Sequence, residues 1–112
     1  MIPTPTKQLS TKQLQEAFAS FDEVKIALLF GSRATGNEHP FSDYDFAVVL
    51  EDPFQLPRLW IELANRLGIG DEQLDLVDLT RASKGLKKAI CNGYLLLKGN
   101  EYELIRLLEC DS

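Results

Sequence analysis

The sequence predicts an α/β (α+β) domain: a mixed β-sheet of about four strands with helices packed on one face. Three observations carry this. Short β-branched, apolar runs alternate along the chain with stretches whose apolar residues recur at helical spacing. Gly, Pro, Asn and Asp punctuate the boundaries between them. The 112 residues suffice for one domain with a real core, and a chain that is 45% hydrophobic and 26% charged has the composition of a globular protein. Residues 1–112 are accordingly read as a single domain, with the Pro/Thr-rich start making 1–9 a flexible lead-in.

Each element follows from its residues. Ser10 and Gln13 form a capping signature, after which Leu14, Ala17 and Phe18 repeat on one helical face. Residues 24–30, Val-Lys-Ile-Ala-Leu-Leu-Phe, read as a strand that runs directly into Gly31-Ser32. The polar segment 33–42, with Gly36, Asn37 and Pro40, belongs to neither neighbouring strand, and 43–51 is the second strand. A helix starts near Leu56, tolerates Pro57 in its first turn, and carries Leu59, Trp60, Leu63, Ala64 and Leu67 before Gly68 or Gly70 stops it. Residues 74–79 form a third strand, 82–91 a helix stopped by Gly93, and 94–98 a short fourth strand. Asn100 and Glu103 cap a last helix with Leu104, Ile105, Leu107 and Leu108.

Charge narrows the partners. Twelve Lys and Arg face seventeen Asp and Glu, for a net charge of −5, so the basic footprint of a nucleic-acid binder is missing. Lys84, Lys87 and Lys88 are the nearest approach to a patch and read as a solvated helix face. No apolar run approaches the ~20 residues of a membrane span, and the first residues lack a secretory apolar region. A cytoplasmic protein with no membrane contact is expected. Cys91 and Cys110 lie far apart with no CxxC or His companion and read as free, buried thiols of a reducing compartment.

Two places break the local rules, as functional sites tend to do. Gly31-Ser32 ends a strand where a glycine lets backbone approach a ligand and the next N–H groups can meet an anion. Asp43-Tyr44-Asp45 heads the second strand. Alternation sets Asp43, Asp45, Ala47 and Val49 on one face, against Tyr44, Phe46, Val48 and Leu50 on the other, which should meet the helices. Same-face carboxylates roughly 6.6 Å apart along a strand can converge on divalent ions about 3.5–4 Å apart. An EF-hand is excluded, since no Gly stands sixth from Asp43. Asp75, just inside the third strand and on the face of Val77, suits a third ligand or a general base, whereas Asp78 suits a cap for the turn after it.

The combination of a strand, Gly31-Ser32, ten intervening residues, Asp43-x-Asp45 and a later strand with Asp75 resembles the nucleotidyltransferase superfamily that shares its catalytic fold with DNA polymerase beta. The local text, Gly31-Ser32-Arg33-Ala34-Thr35-Gly36 and Ser42-Asp43-Tyr44-Asp45-Phe46, is similar to its minimal nucleotidyltransferase (MNT) branch, and the likeness runs on to about residue 98. That resemblance implies that Asp43, Asp45 and Asp75 are catalytic and metal-holding, with Asp43 and Asp45 on two Mg²⁺ ions and Asp75 completing one site and helping to deprotonate the acceptor. It implies that Gly31 and Ser32 cradle the β- and γ-phosphates of ATP, with Arg33 assisting in nucleotide binding. His39, alone in a polar loop, is not expected to act.

The resemblance also implies partners. Base and acceptor recognition in that superfamily usually come from another domain, so the chain either forms a homo-oligomer or meets a separate protein. MNT proteins are typically paired, as antitoxins, with a helical HEPN-family protein, and some transfer AMP to its tyrosine hydroxyl. Either the last helix or the Trp60 stripe could dock such a partner, although both also read as core. The alternatives are a non-catalytic antitoxin of the same fold that neutralises its partner by contact, and transfer to a small molecule.

Overall fold

The computed structural model describes residues 4–110, and the lead-in residues 1–3 lie outside them. The chain runs α1 (Thr11–Ala19), β1 (Val24–Phe30), α2 (Ser32–Thr35), β2 (Tyr44–Leu50), α3 (Leu56–Leu67), β3 (Leu74–Asp78), α4 (Lys84–Cys91), β4 (Leu95–Lys98) and α5 (Glu101–Leu108). The local signals act as their chemistry dictates. Ser10 Oγ accepts the Gln13 N–H at 3.1 Å while Gln13 Oε1 accepts the Ser10 N–H at 2.8 Å, closing a capping box on α1. Asn100 Oδ1 accepts the N–H groups of Tyr102 and Glu103 to start α5, and Gly68 ends α3 in the left-handed conformation. Asp78 Oδ1 accepts from the Thr80 N–H and hydroxyl, holding a 3₁₀ turn at Leu79–Arg81.

The four strands form one mixed sheet in the order β3-β2-β1-β4. β1 pairs antiparallel with β2 and β4, and β3 runs parallel to β2. Tyr44, Phe46, Val48 and Leu50 are all buried, and with Leu74, Leu76 and Leu97 they pack on Leu14 and Phe18 of α1 and Leu59, Leu63 and Leu67 of α3. Phe18 meets Phe46 edge to face, with ring centroids 5.2 Å apart.

Helices cover the second face too, where the sequence reading had placed them on one face only. Ile26, Leu28, Ala47, Leu79, Ile90, Leu104 and Leu108 form a second core that joins α4 and α5 to the sheet. The reason lies in β1, where Ile26, Ala27, Leu28 and Leu29 are apolar in succession and buried on both sides, as a central strand requires.

Two further expectations change. Cys91, the last residue of α4, is disulfide-bonded to Cys110, just past α5, with Cα atoms 5.7 Å apart; neither thiol is free. The intervening segment 92–109 includes β4 and α5, which fold back along α4 and bring the two together, a consequence of topology that spacing in the sequence conceals. The lead-in, expected to be flexible, is tied down from Thr6 onward: the Thr6 N–H donates to the Pro40 carbonyl at 2.8 Å, and Thr6 is buried.

Candidate active site

The site is built at the edge where β1 ends and β2 and β3 begin. Antiparallel register sets Phe30 opposite Asp45, and parallel register sets Asp45 opposite Asp75. The polypeptide thus delivers Gly31, Asp45 and Asp75 side by side across three adjacent strands, with Asp43 one residue ahead of β2. Strand alternation turns Asp45 away from the core that buries Tyr44 and Phe46, so its carboxylate opens toward the end of the other face. Asp43 and Asp75 are exposed and Asp45 is half-buried.

The backbone at Gly31 has φ +77° and ψ −160°, a conformation that strains any residue with a Cβ. Such a Cβ would also collide with Asp45 Oδ2 and lie 3.1 Å from its Cγ. Glycine is therefore required twice over, for its dihedral angles and for the close approach of the corner to the carboxylate. The Gly31 carbonyl accepts the N–H groups of Ala34 and Thr35, and the Ser32 carbonyl that of Asn37 at 2.9 Å, which curls the chain into α2. The N–H groups that lead such a turn have no acceptor behind them in the helix, so this corner offers donors to an anion beside the carboxylates.

Asp45 feels the charge of both other carboxylates. Burial raises the pKa of Asp45, and the negative charges of Asp75 and then Asp43 raise it further. An acid held up by two like charges is unfavourable by itself and is relieved by a cation. The donor set is all carboxylate oxygen, the chemistry that suits a hard divalent ion such as Mg²⁺. Among the described residues no three His, Cys, Asp or Glu side chains form a ready-made metal cluster. Mutual repulsion opposes their closer approach.

Arg33 reaches from α2 to the residues on either side of Asp43. Its Nε–H donates to the Ser42 carbonyl at 2.9 Å, and its guanidinium carbon sits 4.2 Å from the centroid of the Tyr44 ring. Tyr44 in turn donates its hydroxyl to the Lys7 carbonyl at 2.7 Å and accepts the Leu9 N–H at 2.9 Å. The sequence reading placed Tyr44 on the apolar face, where it is; nothing in the sequence marked its hydroxyl as the clasp of the N-terminal segment. Ser42, from the same motif as Tyr44, is buried and accepts the His39 N–H at 2.9 Å, while His39 Nδ1 accepts from the Phe41 N–H. His39 thus shapes the loop.

The chain belongs to the polymerase beta nucleotidyltransferase family, whose family model matches residues 12–102. Among curated proteins, the protein adenylyltransferase MntA of Aphanizomenon flos-aquae is 34% identical over 74 residues, covering 54% of this chain and 47% of that protein. MntA of Shewanella oneidensis is 40% identical over 62 residues, 54% of this chain and 44% of that protein. The chain spans about half the length of these relatives. Among solved structures, a toxin–antitoxin crystallised with AMP-PNP is 26% identical, superposes with a TM-score of 0.71, and is matched over 90% of this chain and 82% of that one.

Proposed function

We propose that this protein is a Mg²⁺-dependent adenylyltransferase that moves AMP from ATP to a hydroxyl of a HEPN-family toxin and thereby acts as its antitoxin. The observation that carries the reading is the coupling of Asp45 to both Asp75 and Asp43 beside the Gly31 corner. Three neighbouring carboxylates that repel one another are a liability in a simple binding module and an asset where a triphosphate must be neutralised. The relatives' designation as protein adenylyltransferases and the structural likeness to a toxin–antitoxin with AMP-PNP support the choice of nucleotide and acceptor.

In this reading Gly31 and Ser32 receive the β- and γ-phosphates on backbone N–H groups, and Asp43, Asp45 and Asp75 hold two Mg²⁺ ions. Those ions, when bound, offset the charge of the triphosphate and of the leaving pyrophosphate. The acceptor hydroxyl oxygen forms a bond to the α-phosphorus as the bond from that phosphorus to the bridging oxygen breaks. Pyrophosphate leaves with that oxygen, and Asp75, exposed on β3, takes the hydroxyl proton. With ATP as substrate the reaction belongs to the cytoplasm; no helix among the described residues is long and apolar enough to cross a membrane.

Incubation with α-labelled ATP, Mg²⁺ and the HEPN-family partner tests this. Label on the partner, reduced at least about a thousandfold by Asp43→Asn, is expected. A tight complex that never acquires label contradicts the transferase reading and favours neutralisation by contact. Label on a small hydroxyl compound in place of the partner contradicts the choice of acceptor.

A further inference from the structure

The Gly31-Ser32 corner and Asp43 must hold fixed positions relative to each other, yet the seven residues 36–42 separate α2 from Asp43. One side chain spans that gap directly. Arg33 leaves α2 one residue after Ser32 and grips both neighbours of Asp43: Nε–H donates to the Ser42 carbonyl at 2.9 Å, and the guanidinium plane covers the Tyr44 ring at 4.2 Å. Beyond it the Tyr44 hydroxyl fastens the backbone of Lys7 and Leu9, and Nη1 lies 3.5 Å from Gln8 Oε1, so the N-terminal segment closes over the joint.

From this geometry we infer that Arg33 is a positioning residue, a brace that locks Asp43 to the Gly31-Ser32 corner through Ser42 and Tyr44, and does not itself bind the triphosphate. The accounting of its nitrogens argues for this. Nε is committed to Ser42, Nη2 is buried with no hydrogen-bond partner and closed to solvent, and only Nη1, beside Gln8, remains for any ligand. A phosphate clamp would present its fork outward; here Nε and Nη2 are turned into the protein. Stacking and a fixed N–H direction are properties of a planar guanidinium that a lysine ammonium lacks. The inference rests on the proposed function for the importance of Asp43 but not for the brace itself.

Two arms test it, using Arg33→Lys and Arg33→Met in the full chain. In hydrogen exchange, both variants should exchange the amides of 37–44 at least tenfold faster while α3 keeps its wild-type protection. This arm needs no activity and stands even if the protein transfers no AMP. In the second arm, Mn²⁺ binding with AMP-PNP is followed by electron paramagnetic resonance. Both variants should bind Mn²⁺ at least tenfold more weakly, whereas AMP-PNP affinity in EDTA should change less than threefold. Unchanged loop exchange in Arg33→Met overturns the brace. So does restoration of nucleotide affinity by Arg33→Lys after its loss in Arg33→Met, because a point charge suffices for a phosphate ligand. Wild-type protein that binds no Mn²⁺ with AMP-PNP defeats the proposed function and leaves the exchange arm to decide the brace.

Discussion

The two sides of β2 differ in what their burial achieves. One side carries Tyr44, Phe46, Val48 and Leu50, every one buried against α1 and α3. The other carries Asp45, then Ala47 and Val49 under α4 and α5, so that a half-buried carboxylate stands at the end of an apolar row. The same seven residues therefore serve stability on one face and chemistry at the end of the other. The lesson is that the site's electrostatic cost is tolerated because the opposite face, and the far end of its own, are packed without polar interruption.

Breaking the apolar side should have the largest effect. Phe46→Ala removes a fully buried ring in contact with Phe18 and should cost about 3–5 kcal/mol of stability in urea unfolding. A loss below ~1 kcal/mol would mean that this face does not carry the fold. The Cys91–Cys110 link belongs to the other side and joins residues 19 positions apart in the sequence; the double serine variant should lose about 3 kcal/mol, measured the same way against oxidised wild type. No difference between the two would show that α4 and α5 hold without it.

At the site the comparison sharpens. Gly31→Ala must place a methyl against the Asp45 carboxylate at a positive φ, and should cut AMP transfer about a hundredfold, or ~2.7 kcal/mol of barrier. The loss should exceed any fall in thermal stability, since the corner is short and lies beyond the end of β1. The smallest expected effect is the most diagnostic. Because the folded-state pKa of Asp45 is raised, the folded protein binds more protons than the unfolded chain, and stability falls as pH rises from the ordinary value of 3.8 through that raised value. In EDTA, Asp45→Asn should therefore melt above wild type at neutral pH, with the gap shrinking as pH falls toward 3.8. A variant that melts lower at every pH would show that Asp45 is a structural carboxylate.

Much of this was legible in the sequence because it is local. Capping at Ser10 and Asn100, the strand at 24–30, the alternation of 44–50 and the Gly31, Asp43, Asp45 and Asp75 pattern are each written in neighbouring residues. The order of strands was not, and with it went the second helical layer and the Cys91–Cys110 bond, which exist only once β4 and α5 fold back beside β1 and α4. Arg33 illustrates the same limit at the site. Its position next to Ser32 suggests a phosphate ligand, while its contacts with Ser42 and Tyr44, residues that alternation marks only as loop and core, could not be read from the sequence.

The central claim is spatial, and diffraction at the manganese edge from crystals grown with Mn²⁺ and AMP-PNP tests it most directly. The account predicts anomalous density between the carboxylates of Asp43 and Asp45, with Asp75 within reach of one ion and the terminal phosphates against the backbone at Gly31 and Ser32. Manganese bound away from these aspartates, or a triphosphate lying on the α1–α3 side of the sheet, would contradict it.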